Sequence, residues 1–593
     1  MDLEKKDWAI ILLAVLAVAS IVGNGVLLFL PSAVAPPDLG VKVVFGTMSG
    51  PADLDPMDAW DSASSNVHDQ VCEALFMYNL TDPDLEILPV LAKDFGVWNF
   101  TGVIPTYTVE LRDDVWFHDG TKYDAVAAKW NFDRLANLMS LHLAKAGELY
   151  EFYVRTDIVN TTTGETAPVF HNIINKTTVL DTYTLEFTLN TIYSAFEAIL
   201  SFNAAYQISP ASASFDEPLD TANGDLVGTG PFVYDGFEAG VEVLFHANDF
   251  YWRLRPKIDT LIFSIINDAQ IRNNALLSGD VDIVLDPMGS MLSTFDSDPD
   301  ITLVEAGQTL GVQYLGMNAD WINTTFRKAI SYAINYSFII EELLEGQAVR
   351  LKSPVPEGIA YANWTNTPAA YDVPAARVIM QSMGFGAGWD TTVGGTNEAD
   401  WLAASFATFN YTYNIGNDMR ENMYVLLVDN LDKIGITVSD AGTTWSQFIL
   451  SLYELAGLHR NMVQIYWLGW IPDYNDPSNY INPLFTNRSV ASNGAKYNGY
   501  TSAKEAGRDP LALWDNVQLL MEKALLETDP GDRETYYDRI QTLLVEEDMP
   551  WGYGYVGINN DAWNKDLMDY PSNPMGRLYF YPVWWDIPAL YEQ

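Results

Sequence analysis

Between Ile465 and Phe485 the chain reads IYWLGWIPDYNDPSNYINPLF, the stretch richest in groups that could hold a ligand. The leading apolar residues predict a buried strand. A break of Pro, Asp, Asn and Pro follows it. Trp467 and Trp470 are flat, stiff surfaces suited to stacking, and Asp473 stands at the strand end, where a carboxylate could receive a cation. The same residues would also serve as core tryptophans followed by an Asx-type turn.

Little else in the chain suggests chemistry. His118-Asp119 lies in a turn signal ending at Gly120, a context in which adjacent residues usually serve the turn rather than catalysis. There is no GxSxG elbow, no phosphate loop, no dinucleotide fingerprint and no EF-hand. Gly384-Phe385-Gly386 follows a helix and reads as its stop. The acidic residues are too many to single out a glycosidase pair. Cys72 is the one cysteine, which excludes an internal disulfide and a cysteine metal cluster, and the six histidines show no HExxH spacing. No cofactor and no metal are expected.

The elements that must position this stretch belong to a globular chain of 593 residues, 48% hydrophobic and 13% aromatic, long enough for several lobes. Its 78 acidic and 32 basic residues leave a formal charge of −46, which argues against nucleic acid or anionic lipid as partners and favours solubility. Strands are predicted at 41–46, 106–111, 182–189, 231–247 (a pair) and 261–266. Helices are predicted at 63–75, 123–135, 325–334, 374–383, 418–433, 511–526 and 532–547. This mixture without a strict βαβ beat predicts an α/β chain of several lobes.

Trp8 to Leu30 is 23 residues without a charge, long enough to span a bilayer. Lys5 and Lys6 precede it, and the next basic residue is Lys42, so the body is expected outside the cell on one transmembrane helix. A cleaved signal peptide is the competing reading, but its best site, Ala33-Val34-Ala35, runs into Pro36-Pro37. Residues 31–40 form a proline-bearing spacer. Nine N-x-Ser/Thr sequons, at Asn79, Asn99, Asn160, Asn175, Asn323, Asn335, Asn363, Asn410 and Asn487, are compatible with a glycoprotein body outside.

Five segments in chain order resemble the extracytoplasmic solute-binding proteins of peptide-type ABC importers (family 5, oligopeptide and dipeptide type). They are SGPADLDPMDAWDSASSNVHDQVCEALF (49–76), YTVELRDDVWFHDGTKYDAVAAKWNFDRL (107–135), GTGPFVYDGFEAGVEVLFHANDFYW (228–252), LLSGDVDIV (276–284) and YLGMNADWINTTFRKAISYAINYSFIIEELLEG (314–346). The resemblance implies a two-lobed periplasmic-binding-protein-like clamp (type II, cluster C) with an inserted domain. Lobe I would comprise 41–78, 191–305 and 556–593, the inserted domain 79–190, and lobe III 306–555. Ligand would lie between lobes and be enclosed by hinge closure.

By the same resemblance, Asp473 of the pattern Trp470, Asp473, Tyr474, Asn475 would receive a peptide α-ammonium, since a buried ammonium needs a fixed partner. The strand to Gly469 would offer its backbone to an extended peptide. Ser49 and Gly50 would face it from the other lobe, and Trp445 and Trp130 sit where pocket aromatics lie in similar proteins. One departure stands out. The oligopeptide binders of that family carry a basic residue three places before the motif tryptophan, and here that place is Trp467. The expected function is therefore capture of short peptides for an ABC permease by a non-enzymatic monomer. An oligosaccharide stacked on Trp445, Trp467 and Trp470 is the alternative, and a surface hydrolase is a third possibility.

Overall fold

Val43, Val44 and Phe45 are buried on both faces of the strand Lys42–Thr47, which explains its continuous apolar run. It pairs in parallel with Thr260–Ile265 on one side and with Ile283–Leu285 on the other. Val43 and Phe45 enter the principal core, whereas Val44 enters a smaller one with Leu276, Val281 and Phe295. The computed structural model describes residues 40–59, 61–82, 85–102, 104–141, 153–159, 166–415, 417–452, 463–486, 493–587 and 590.

From this strand an eleven-stranded mixed sheet extends in both directions. In order of hydrogen-bonded neighbours its strands begin at Phe232, Glu242, Thr260, Lys42, Ile283, Trp551, Ile301, Ile465, Ala407 and Ile436, with Ala348–Arg350 added beside Trp551–Asn564. Two long strands carry the sheet across its middle. Ile301–Met317 and Trp551–Asn564 run antiparallel from the pair Ile301↔Asn564 to the pair Gly316↔Trp551. At one end Trp551–Asn564 pairs with Ile283–Leu285. At the other end Ile301–Met317 pairs with Ile465–Trp470. Between the two ends the ladder breaks register at Glu305/Gly307, at Gln308/Val312 and at Gln313/Tyr314. Gly307 adopts φ +87°, a conformation that glycine takes without steric cost.

A second, four-stranded antiparallel sheet joins Val97–Asn99, Thr106–Glu110, Thr184–Leu189 and Ile174–Asp181. Helix Ala125–Leu141 lies on it, with Phe132 edge-on to Phe187 at 4.8 Å between ring centroids. The helix is fastened to the body by Arg134, which is fully buried. Its Nη1 and Nη2 donate to the two oxygens of Asp55 at 3.1 and 2.5 Å, and its Nε donates to the Ser214 carbonyl at 2.6 Å. The Leu54-Asp55-Pro56 triplet thus has a structural task.

Local chemistry sets several boundaries that hydrophobic pattern alone misplaces. The helix expected to reach residue 75 spans Ser62–Val71, because Cys72 turns extended and Glu73 bridges to Gln207. The helix expected from 511 is instead Val517–Leu526, started by the Asn516 side chain accepting from the Gln518 N–H. The step at 276–284 is a helix ending on left-handed Gly279, after which the Asp282 carboxylate accepts from the Val44 N–H at 2.7 Å. Asn79, Asn99 and Asn363, three of the sequon asparagines, accept from the threonine two residues on and so close local turns. No helix among the described residues is long and apolar enough to cross a membrane. The segment Trp8–Leu30, the spacer up to residue 39, Asn160 and Asn487 lie outside the described residues.

Asp55→Ala strands a buried guanidinium. It should cost about 3–5 kcal/mol, read as a lowered urea midpoint, and the double variant Asp55→Ala/Arg134→Met should recover much of that loss.

Candidate functional site

The strand Ile465–Trp470 presents its side chains alternately to two cores. Tyr466 and Leu468 enter the principal core and Trp470 packs against it, while Ile465 and Trp467 enter the core of the other sheet face. This corrects the expectation that Trp467 meets ligand. It has no exposed surface, its ring lies 6.1 Å from that of Tyr555, and a Cβ on Gly554 would fall 2.7 Å from it. Trp467 and Trp470 are three residues apart, an odd spacing that sends them to opposite faces.

Beyond Trp470 the chain leaves the ladder, and Asn479 gathers the loose ends. Fully buried in the first turn of helix Ser478–Phe485, its Oδ1 accepts from the Trp470 indole N–H at 3.2 Å and from the Asp473 backbone N–H at 2.9 Å. Its Nδ2 donates to Asp473 Oδ2 at 3.0 Å. Trp470 and Asp473 are thereby fixed to each other. Asn479 escaped the reading of the sequence, although an Asn in the first turn of a helix after Asp-Pro-Ser is a signal for such side-chain bonding.

The neighbouring acidic residue does different work. Asp476 caps the helix by accepting from the Ser478 N–H, and it pairs with the buried Arg533 at 2.9 Å. Tyr474 is buried, 6.5 Å from the Phe202 ring. The Asn475 N–H donates to the Tyr78 hydroxyl at 2.9 Å, which ties this segment to the first part of the chain. Beside Tyr78 lies a cavity of about 50 Å³ walled by Asp69, Glu73, Tyr206, Tyr251 and Arg577, among others. Its polar groups are engaged with one another. Arg577 grips Asp69 and donates to Tyr206 Oη at 2.5 Å, and Glu73 accepts from Tyr251 Oη at 2.7 Å and from Trp252 Nε1 at 3.0 Å.

Asp473 has no cation of its own, a property it shares with Asp282 and Asp561, whose carboxyls burial also raises. Among the described residues it makes no ion pair. It keeps some exposed surface yet lies deep among protein atoms. Burial pushes its carboxyl up to about 6, opposed by the Asn479 hydrogen bond and by the field of Arg577. An arriving ammonium would relieve that strain by supplying the missing charge.

The remaining expected residues stand apart. Gly469 pairs with Gln313 across the ladder, and a Cβ there would meet the Gln313 side chain at 2.2 Å. Gly50 passes beneath Phe237, whose ring a Cβ would meet at 2.5 Å, and Ser49 beside it is exposed. Trp130 is half-buried on helix Ala125–Leu141, 5.8 Å from the Phe215 ring. No recorded contact joins Ser49, Gly50 or Trp130 to Asp473. Trp445 opens helix Trp445–Leu452, and its side chain lies outside what is described. His118 and Asp119 serve their turn: Asp119 accepts from the Thr121 N–H, and His118 Nε2 bonds the Gly230 carbonyl. No group of three His, Cys, Asp or Glu among the described residues is placed to hold a metal.

Residues 89–492 match the profile of the bacterial extracellular solute-binding proteins, family 5 (middle). The chain is 25% identical over 560 residues to heme-binding protein A of Haemophilus influenzae, covering 91% of each protein. It is 25% identical over 567 residues to di/tripeptide-binding protein 1 of Pseudomonas aeruginosa, covering 93% of this chain and 95% of that one. Among solved structures, the periplasmic binding protein DppA of Helicobacter pylori in complex with the peptide STSA superposes with a TM-score of 0.71 at 20% identity, covering 92% of this chain and 99% of that one. The fold is that of the two-lobed periplasmic binding proteins.

A carboxyl raised in the folded state holds its proton to higher pH than when unfolded. Its contribution to stability is therefore complete below about pH 4 and lost as the pH rises through about 6. Asp473→Asn should stabilise the unliganded protein at pH 7 by about 1–2 kcal/mol, after discount for its partial exposure, and have little effect at pH 4, as read from urea midpoints.

Proposed function

The chain belongs to the family 5 bacterial extracellular solute-binding proteins, and from that membership we propose that it captures short peptides between its lobes and hands them to an ABC importer permease. The observation that carries the peptide reading is Asp473, a carboxylate fixed by Asn479 at a strand end, partly exposed and lacking a cation. A peptide α-ammonium supplies both the charge and the hydrogen-bond donors that such a group lacks. The di/tripeptide-binding relative and the peptide-bound structural neighbour support the same class of ligand.

The lobes follow the divisions 41–78 with 191–305 and 556–593, 79–190, and 306–555. In support, the limits at 305/306 and 555/556 fall inside the two crossing strands, the first beside the register break at Glu305/Gly307. That break is where backbone can bend as the lobes close. In this reading the body works as a non-enzymatic monomer outside the cell, tethered through Trp8–Leu30. Burial of Trp467 removes one of the three stacking aromatics on which an oligosaccharide would depend, so peptide is the better fit.

A mixed library of di- to octapeptides should raise the melting temperature of the purified protein, and Asp473→Ala should abolish the rise. Because the ligand ammonium favours the ionised carboxylate, affinity should also fall as the pH drops below about 6. A rise with cello- or manno-oligosaccharides and none with peptides would exclude the peptide reading.

A further inference from the structure

The described chain begins at Gly40, ten residues after Leu30, where the uncharged run ends. Its entry point is pinned. The Val41 N–H donates to Asp259 Oδ2 at 2.7 Å, the Asp259 N–H donates to the Val41 carbonyl at 2.6 Å, and a Cβ on Gly40 would collide with the Asp259 carboxylate. Asp259 closes the loop that connects strands Glu242–Ala247 and Thr260–Ile265. On this loop Phe250 is 87% exposed and Leu254 75% exposed, among the barest large apolar side chains of the described residues.

These side chains are held outward. Asn248 anchors the loop by donating to the Gly230 carbonyl and accepting from the Phe250 N–H. Tyr251 and Trp252 turn inward onto Glu73, and Arg253 donates to the Tyr579 hydroxyl at 3.2 Å. Phe250 and Leu254 flank these three anchored residues and stay exposed. The strong acidity of the chain is offset locally. Lys42, Arg253, Arg255 and Lys257 cluster here against Asp249 and Asp259, both paired with Arg255, against Asp569, which accepts from Trp584 Nε1 at 2.8 Å, and against Glu73 beside Arg253. Lys257 stands 4.6 Å above the Trp584 ring, and Trp585 Nε1 donates to the Lys42 carbonyl. Exposed Phe and Leu, an amphipathic Trp and long basic side chains beside them make up the composition of a surface that rests in the interfacial layer of a bilayer.

We propose that the loop 249–257, with Lys42 and Trp584, lies on the outer face of the membrane, Phe250 and Leu254 dipping among the lipid headgroups. The overall acidity of the protein, which argues against anionic lipid, is balanced here by the four cations. Strand Lys42–Thr47 leads away from it to Ser49 and Gly50, about 20 Å distant at ~3.3 Å per residue, so that this end of the first lobe is directed away from the lipid. The proposal rests on the reading of Trp8–Leu30 as a membrane segment but is independent of ligand identity.

The test uses the full chain reconstituted in vesicles of phosphatidylcholine and phosphatidylglycerol, with nitroxides attached at Phe250→Cys, at Leu254→Cys and, as a control of like exposure elsewhere, at Leu511→Cys. Cys72 is buried and does not compete for label. Labels at 250 and 254 should show collision rates with a polar nickel reagent about threefold or more below that at 511, and higher collision rates with oxygen. Phe250→Asp/Leu254→Asp should leave the protein floating with the vesicles while raising the nickel-reagent collision rate of a label at Lys257→Cys to that at 511. Equal accessibility at all three positions overturns the proposal with the tether intact. Failure of the unaltered chain to float overturns both. Protection at 250 that needs a high protein-to-lipid ratio, with spin–spin broadening, assigns the patch to a second copy of the chain and also overturns it.

Discussion

The hydrogen-bonded ladder between Ile301–Met317 and Trp551–Asn564 governs everything else in the molecule. Backbone donors and acceptors in a protein interior must stay paired, so two strands that cross the middle of a sheet cannot part without exposing them. Each strand therefore belongs to both ends. One sets the position of Ile283–Leu285 and, through it, of Lys42–Thr47 and the Ser49-Gly50 turn. The other sets the position of Ile465–Trp470 and, through it, of Asp473. Both proposed walls of the binding cleft are thus referenced to a single ladder, and the three register breaks confine bending to its central portion.

Electrostatics complete the assignment. With 32 basic residues against 78 acidic ones, cations are scarce, and several are spent on buried carboxylates. Arg134 holds Asp55, Arg533 holds Asp476, and Arg577 holds Asp69. Each pair offsets desolvation that neither partner could bear alone. Asp473 is excluded from this scheme and keeps only the amide of Asn479 and the field of an arginine already engaged with Asp69. In the proposed function its charge is met by a ligand that arrives from solvent. The cavity beside Tyr78, by contrast, is walled by polar groups that engage one another.

How much of this could be read from the residues depended on the range of the interaction. Strands with a clean alternation, such as Thr106–Glu110 and Thr184–Leu189, were plain because their periodicity records one buried face. The far end of the first helix was not, because residues 72–75 are as apolar as the helix before them and only the distant Gln207 pulls Glu73 into an extended bridge. The place of Asp473 just past a strand end was legible, because a break of Pro, Asp and Asn follows the apolar run. Trp467 was misread by treating two tryptophans as one stacking surface, although the odd spacing in a strand separates their faces. Asn479 and Tyr78 were hidden for opposite reasons. One acts locally, in a turn whose hydrogen bonds have no hydrophobic signature, and the other acts across the whole fold.

The crossing ladder also dictates how the chain must be made. Residues 301–317 find the partner that joins them to the first half of the sheet only when 551–564 have been synthesised, since the latter strand separates Ile283–Leu285 from Ile301–Met317 in the finished sheet. Until then Ile465–Trp470 and Lys42–Thr47 belong to two unfinished sheets with bare apolar edges. Long-range pairing of this kind slows folding and leaves such edges open to aggregation. A chain with this connectivity matures late and all at once, and it benefits from being kept unfolded, or shielded by a chaperone, until its last strand is in place.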